Sequence, residues 1–405
     1  MVFIYGARYS FSVFFVAILD EFGWDRASTA LMFSSNLIMY GIFAPVVGML
    51  VDRLGPRKMI PVGAVLVAGG IALCSLLHQL WQFYLVYGAV IGAGLCFAGY
   101  PVHVPMLSNW FVRRRGMAMG LALAGIGGSF LIAPLAEVFI SNWGWRIAYL
   151  ILGLITISIV IPITLLFLRT RPEDMGEQAD NSKGNQEDRI TKKTQTAGQQ
   201  VELITLKLSG IMKGKFFWLL AASWFLSYGV GWCLLLTHQV ALARDAGYSV
   251  GFAASVFGLV GIFNAIGYLS ASFSDNIGKE KSFVIGCLSA IIALIFLLQV
   301  KDANHPWILS SYAVLFGFGC GVTTPTGTAI SADLFHSKNF GFISGIVNSL
   351  PFAIGGALAP WLGGLIYDHT GSYNIALYIA ISTWVGAAIC IGLIGIFKRN
   401  KPYPV

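Results

Sequence analysis

Apolar residues in this chain come in long runs separated by short polar interruptions. Twelve runs approach or exceed the roughly 20 residues needed to cross a bilayer: 1–20, 28–51, 59–77, 82–105, 116–140, 146–168, 215–243, 249–272, 282–300, 307–331, 341–366 and 375–397. The pattern predicts an all-α membrane protein with twelve transmembrane helices. The one long polar stretch, 169–214, divides six runs from six. It predicts an N-terminal half over 1–168, a cytoplasmic linker, a C-terminal half over 215–397 and a cytoplasmic tail over 398–405. Within the linker, 177–202 mixes charge, Gln and Gly with almost no apolar anchor and is expected to build no core. The first run starts at Met1 with no basic lead-in and no small-residue cleavage site, so it reads as a retained span and not a signal peptide.

Composition agrees with that pattern. Of 405 residues, 57% are hydrophobic and 11% charged, with a mean hydropathy of +0.75, against about 25% charged in soluble proteins. The net charge of +8 raises the question of nucleic acid, but the cations lie in loops between apolar runs and make no duplex-binding face. Their distribution follows membrane sidedness. Of 26 Lys and Arg, 21 fall on one side, four (Arg26, Arg146, Arg244 and Lys301) on the other, and Arg8 alone within a span. Short loops decide orientation best, and with 169–215 set aside the bias is still 12 to 4. Both termini are therefore expected in the cytoplasm of a cell with the protein in its cytoplasmic (inner) membrane. The six cysteines stand singly inside apolar runs, which argues against a disulfide framework and against a zinc site.

The two halves repeat. Asp52 is answered by Asp275, Pro134 by Pro360, and Arg115-Gly116-x-x-x-Gly120 by Phe340-Gly341-x-x-x-Gly345, at offsets of 223, 226 and 225. Both members of each pair face the same side, so the repeat is parallel, about an axis along the membrane normal.

The stretch Gly48–Lys58, GMLVDRLGPRK, sits between the second and third runs. Three cations in so short a loop hold it in the cytoplasm. Asp52 stands where a span ends and can meet a helix N-terminus or a loop arginine, and Gly48 is expected to let another backbone approach. The stretch resembles the Gly-x-x-x-Asp-Arg-x-Gly-Arg-Arg/Lys loop of the major facilitator superfamily, with Pro56 where an arginine is usual. Residues 109–128, NWFVRRRGMAMGLALAGIGG, are similar to the Trp-Phe-x-x-Arg-Arg-Gly-x-Ala-x-Gly pattern of the monocarboxylate porters and the oxalate/formate-type antiporters. So are 9–26, YSFSVFFVAILDEFGWDR, and 171–176, RPEDMG. The resemblance spans the chain. It implies two six-helix halves that rock about a central site, with Gly48, Asp52, Arg53, Arg57 and Arg113–Arg115 (Arg113, Arg114 and Arg115) closing the cytoplasmic gate.

Arg8 is the most informative residue. It lies about 10 Å along its helix from Met1, where a charge costs at least about 2.5–3.5 kcal/mol and must face a cavity or a partner. Either it pairs with a substrate carboxylate, or it snorkels to the interface or binds a carbonyl on a neighbouring helix. In this family span eight often carries a substrate-binding arginine, but here Tyr268 stands after Gly267. With no second cation, a monoanion suits the site better than a dicarboxylate.

His103 and His238 are candidates for the substrate pocket and for carrying a proton, although a lone membrane histidine is more often a helix–helix hydrogen bonder. Glu137 is a proton site or an interfacial pair. Asn264 and Thr323 line the cavity or relieve strain at Pro325, and Tyr5, Ser12, Tyr100, Tyr228 and Trp232 are candidates to shape the pocket. No nucleophile–base pair, P-loop, CxxC or HExxH appears, so the chain reads as no enzyme and as needing no cofactor. The expected function is secondary active transport of a small organic anion, a monocarboxylate first, by a monomer coupled to a proton or a counter-anion. The rivals are an organic-anion antiporter or drug-type efflux pump of the same fold, and, from another class, a membrane sensor that transports nothing.

Overall fold

The computed structural model describes residues 1–110, 115–169, 210–270, 274–335 and 343–400. Arg113, Arg114 and nearly all of the polar linker lie outside the described residues, as do the side chains of Asp52, Arg115 and Asp275. Among the described residues, eleven helices are long and apolar enough to cross a membrane. They are α1 (Val2–Phe22), α2 (Arg26–Leu54), α3 (Pro56–Cys74), α4 (Leu80–His103), a run Gly120–Phe167, α7 (Lys215–Asp245), α8 (Val250–Ser270), α9 (Lys279–Leu298), α10 (Pro306–Leu334), α11 (Gly345–Thr370) and α12 (Asn374–Asn400). The run of 48 residues would be about 72 Å long as one helix, more than twice a bilayer core. It is broken at Gly144, whose φ of 79° and ψ of 159° no other residue type adopts without strain. The break makes α5 (120–143) and α6 (145–167), and twelve spans result.

Local signals set the boundaries. Gly23, at φ 65°, closes α1, and the Asp25 carboxylate caps α2 by accepting from Ser28 N at 2.7 Å. Leu121, Leu154 and Phe167 point outward with at least two-thirds of their surface free, as a lipid-facing surface requires. Between helices, where lipid removes the hydrophobic drive to associate, small residues make the seams.

The halves meet through α2 on α11, α5 on α8 and α1 on α7. The first two seams are copies of each other. A Cβ on Gly41 of α2 would meet Ala353 Cβ of α11 at 3.3 Å, and a Cβ on Gly127 of α5 would meet Ala265 Cβ of α8 at 2.9 Å. Ala265 stands 224 positions after Gly41, and Ala353 stands 226 after Gly127, so glycine and alanine exchange places across the dyad at the repeat offset. Gly127→Val must push the α8 backbone at Gly261 and Ala265. It is expected to cost about 1–3 kcal/mol and to lower the melting temperature of purified protein, whereas Gly120→Ala, with no described atom within 4 Å of the new Cβ, leaves it unchanged.

Gly48 departs from expectation. It is exposed, and no described atom lies within 4 Å of where its Cβ would be. The α2–α11 seam is made at Gly41 and at the far end of α2, where Gly364 packs on Ala27, and no described residue of α11 comes within 4 Å of the Gly48 Cβ position.

Candidate substrate site

Three backbone irregularities shape the interior. Around Tyr84–Ile91, α4 winds as a π-helical turn, a device that re-aims carbonyls and recurs at functional sites. At its end Gly92 N–H returns to the Gly88 and Ala89 carbonyls. The Tyr87 carbonyl accepts instead from Asn36 Nδ2 of α2 at 2.9 Å. Further on, α4 breaks at Gly99 (φ −99°, ψ −156°), and the freed Tyr100 N–H donates to Tyr5 Oη of α1 at 3.0 Å. The third irregularity is a second π-helical turn, Phe225–Trp232 of α7.

Arg8 sits where α1, α2 and α4 meet, 4% exposed. Its Nε and Nη2 both donate to Asn36 Oδ1, at 3.0 and 2.8 Å. Its Cζ lies 4.7 Å from the Tyr40 ring centre and 6.0 Å from that of Tyr5, within cation–π range. Among the described residues it makes no ion pair. Among the described residues the buried guanidinium is met by a neutral amide and by ring faces, so its charge has no described counter-ion. Tyr5 Oη also meets Tyr40 Oη at 3.3 Å, and His103 Nδ1 donates to the Gly99 carbonyl at 2.8 Å, leaving its Nε2 as an acceptor.

The second half supplies aromatic and hydroxyl groups. Tyr228 Oη donates to the Cys320 carbonyl and meets Thr323 Oγ1 at 3.0 Å, and Thr324 Oγ1 joins the same hydroxyl. Trp232 stacks on Phe316 at 5.4 Å and reaches the first half through Phe130 at 5.9 Å, which in turn stacks on Tyr9 at 4.2 Å. Tyr228 and Trp232 are thus joined to α1 by a continuous line of rings.

Other sequence candidates make no described hydrogen bond to Arg8. Asn264 Nδ2 reaches the Gly317 carbonyl at 3.4 Å and bridges α8 to α10 within the second half. Ser12 is fully buried, and its hydroxyl has no described partner. Glu137 is half-buried beside Gly251, at the first turn of α8. His238 donates from Nε2 to the Pro360 carbonyl at 2.7 Å, and its Nδ1 accepts from Tyr373 Oη at 3.1 Å. Arg53 is exposed, and Arg57 Nη2 caps the end of α6 at the Leu165 carbonyl at 3.0 Å. Among the described residues, no group of His, Cys, Asp and Glu is arranged to hold a metal.

A model of the Major Facilitator Superfamily matches residues 1–350 and 272–404. The chain belongs to this superfamily. It is 26% identical over 385 residues to monocarboxylate transporter 13 of Rattus norvegicus, covering 93% of this chain and 82% of that protein. It is 25% identical over 415 residues to monocarboxylate transporter 12 of Mus musculus, with 97% and 84% covered. It is also 25% identical over 405 residues to the MFS-type transporter YcxA of Bacillus subtilis, with 97% and 92% covered. A solved bacterial homologue of the human lysosomal transporter Spinster, described as inward-facing and unoccupied, superposes with a TM-score of 0.73. The superposition covers 98% of this chain and 94% of that one, at 16% identity. The chain is therefore a multi-pass membrane transporter of the facilitator fold.

In this facilitator, the halves are tied at the face opposite the basic loops. Arg26 of α2 forks onto Asp245 of α7, Nη1 to Oδ2 at 2.6 Å and Nη2 to Oδ1 at 2.9 Å. Nη1 also donates to Tyr373 Oη at 2.7 Å, and Cζ lies 3.6 Å over the Tyr367 ring. The Asp368 carboxylate of α11 accepts from Arg26 N and Ala27 N at 3.0 and 2.8 Å, capping α2 from the other half. Asp20 of α1 pairs with Arg244 of α7 at 2.6 Å. On the basic face, the described ion pairs, Lys279–Asp333 and Lys398–Glu280, at 2.8 Å each, stay within the second half. His238 belongs to this closed rim through Tyr373.

Sequence reasoning missed Arg26, Asp245, Asp368 and Asn36. For the rim a signal existed. Arg244 stands 224 positions after Asp20, the repeat offset. Equivalent ends of α1 and α7 carrying opposite charges meet at the dyad.

Proposed function

We propose that this facilitator is a secondary active transporter that carries a small organic monoanion, a monocarboxylate first, across the cytoplasmic membrane by alternating access. The observation that carries the reading is Arg8, a buried guanidinium with no carboxylate partner among the described residues, held between α1, α2 and α4. A monoanion neutralises it, and among the described residues no second Lys or Arg stands beside it to hold a dianion. The names of the mammalian relatives agree with a monocarboxylate. The closed rim at the opposite face corresponds to a state open toward the cytoplasm, with both termini on that side.

In the other state, the cytoplasmic gate closes through the Gly48–Lys58 loop and Arg113–Arg115. Asp52→Asn is expected to reduce uptake severely at unchanged expression, and normal uptake would remove Asp52 from the gate. Coupling is assigned to a proton or a counter-anion. Of the proton candidates, Glu137 lies at the α5–α8 seam, His238 in the rim and His103 beside the Gly99 break.

The test is uptake of lactate, pyruvate, formate and acetate into proteoliposomes, with and without an imposed pH gradient. Saturable uptake of at least one, competed by the others and not by oxalate, is expected. Absence of uptake and of competition for all four overturns the reading. Stimulation by an inward proton gradient selects symport, and stimulation by internal substrate selects exchange.

A further inference from the structure

We infer that Asn36 is a positioning residue of the anion site, fixing which edge of the Arg8 guanidinium the substrate meets. The inference rests on the proposed role of Arg8. A guanidinium presents five N–H groups in one rigid plane. Two of them, one on Nε and one on Nη2, are taken by Asn36 Oδ1 at 3.0 and 2.8 Å. The Tyr40 ring covers one face at 4.7 Å. Of the three N–H groups that remain, one on Nη1 and the second on Nη2 run parallel at the end of the fork, at the spacing of the two oxygens of a carboxylate, and the other Nη1–H points back along the side chain.

Asn36 cannot present its amide the other way round. Its second partner is the Tyr87 carbonyl at 2.9 Å, which only accepts, while the guanidinium only donates. The NH2 must therefore face Tyr87 and the oxygen must face Arg8. The π-helical turn Tyr84–Ile91 thus acts on the substrate at two removes: it aims a carbonyl, the carbonyl fixes an amide, and the amide fixes the arginine. Asn36 is itself fully buried, so it acts through Arg8 and not by contact.

An aspartate at this position would reverse both properties. It would give Arg8 a resident counter-ion and set a carboxylate against the Tyr87 carbonyl. The neutral amide is the group that orients the arginine without consuming its charge.

The test uses purified full-length protein and radiolabelled acetate, lactate and pyruvate, with binding measured on the protein and KM and kcat measured in proteoliposomes. Asn36→Leu is expected to raise KM about tenfold or more with kcat within about twofold, since charge-assisted contacts are lost when the fork swings free. Asn36→Asp is expected to abolish binding. In an Arg8→Lys background, whose ammonium has no edge to orient, the same Asn36→Leu change is expected to move KM by less than about threefold. Should Asn36→Leu not fold, Asn36→Ala, which removes the amide without adding bulk, is read in the same way.

Wild-type KM in Asn36→Leu or Asn36→Ala overturns the inference. So does an equal multiplicative loss with arginine retained and in the Arg8→Lys background, which would mark a purely structural role. In both cases the Arg8 reading stands if Arg8→Gln still loses binding. Unchanged binding in Arg8→Gln, or binding of none of the three acids by the wild type, overturns both.

Discussion

Arg8→Gln is expected to abolish binding of the transported anion while leaving the ligand-free protein as stable as the wild type or more so. Truncating one partner of a desolvated, hydrogen-bonded charge pair costs about 2–5 kcal/mol, so the dissociation constant should rise at least about thirtyfold. The stability change is expected in the opposite direction. Without a bound anion the buried guanidinium has only a neutral amide and two rings as described partners, and a shorter neutral amide in its place removes the cost of burying the charge. Arg8→Lys keeps the charge and loses the fork, so its affinity falls between the two. Calorimetry with lactate, pyruvate and acetate, beside thermal melts without ligand, checks both. Unchanged affinity, or a drop in ligand-free melting temperature with an unchanged ligand response, would make Arg8 a structural residue.

The second large effect is expected at the opposite rim. Arg26 holds Asp245 through a fork, with 11% and 26% of the two side chains accessible. Hydrogen bonds to charged groups contribute about 1.5–3 kcal/mol, and partial exposure discounts the pair to about 1–2 kcal/mol. Asp245→Asn should therefore shift the balance between the closed and open rim by about five- to thirtyfold. Arg26→Ala should shift it further, because it also releases Tyr373 and the face of Tyr367. Spin labels at positions 142 and 301, one on each half at this face, should report a longer distance population in both variants. A wild-type distance distribution in Arg26→Ala would show that the rim is held shut by the seams and not by charge.

Much of the fold could be read directly because a bilayer imposes a length. Each span had to reach its quota of apolar residues, and even the α5–α6 boundary, where helical structure is nearly continuous, was marked by the polar residues around Gly144. The parallel repeat was legible from constant offsets, and the seam pairs Gly41–Ala353 and Gly127–Ala265 obey the same offset.

The site was legible only where a residue broke the membrane's rules. Arg8 stood out because a cation in a span is costly. Asn36 did not, since one asparagine in an apolar run is unremarkable and its two partners lie 28 and 51 positions away. Gly48 looked like a packing glycine from its motif alone, but how close a neighbour comes is set by the tilt of α2 against α11, which no local pattern encodes. Asn264 read as a cavity residue or as relief of strain at Pro325, and the carbonyl its amide meets, that of Gly317, belongs to α10 of its own half, a long-range partner that no local pattern encodes.

The mirrored glycine–alanine contacts have a consequence for how such a protein can change over time. At Gly41–Ala353 and Gly127–Ala265 only hydrogen and methyl groups face each other, so no side chain there has to unlatch if the halves turn on one another. If the spin-label test bears out the charge-held rim, the resting orientation is set elsewhere, by a few charged groups at that face. Resting orientation and mechanical pathway are therefore inherited separately. One exchanged carboxylate can turn a carrier that waits open to one compartment into one that waits open to the other, with its bearing surfaces untouched.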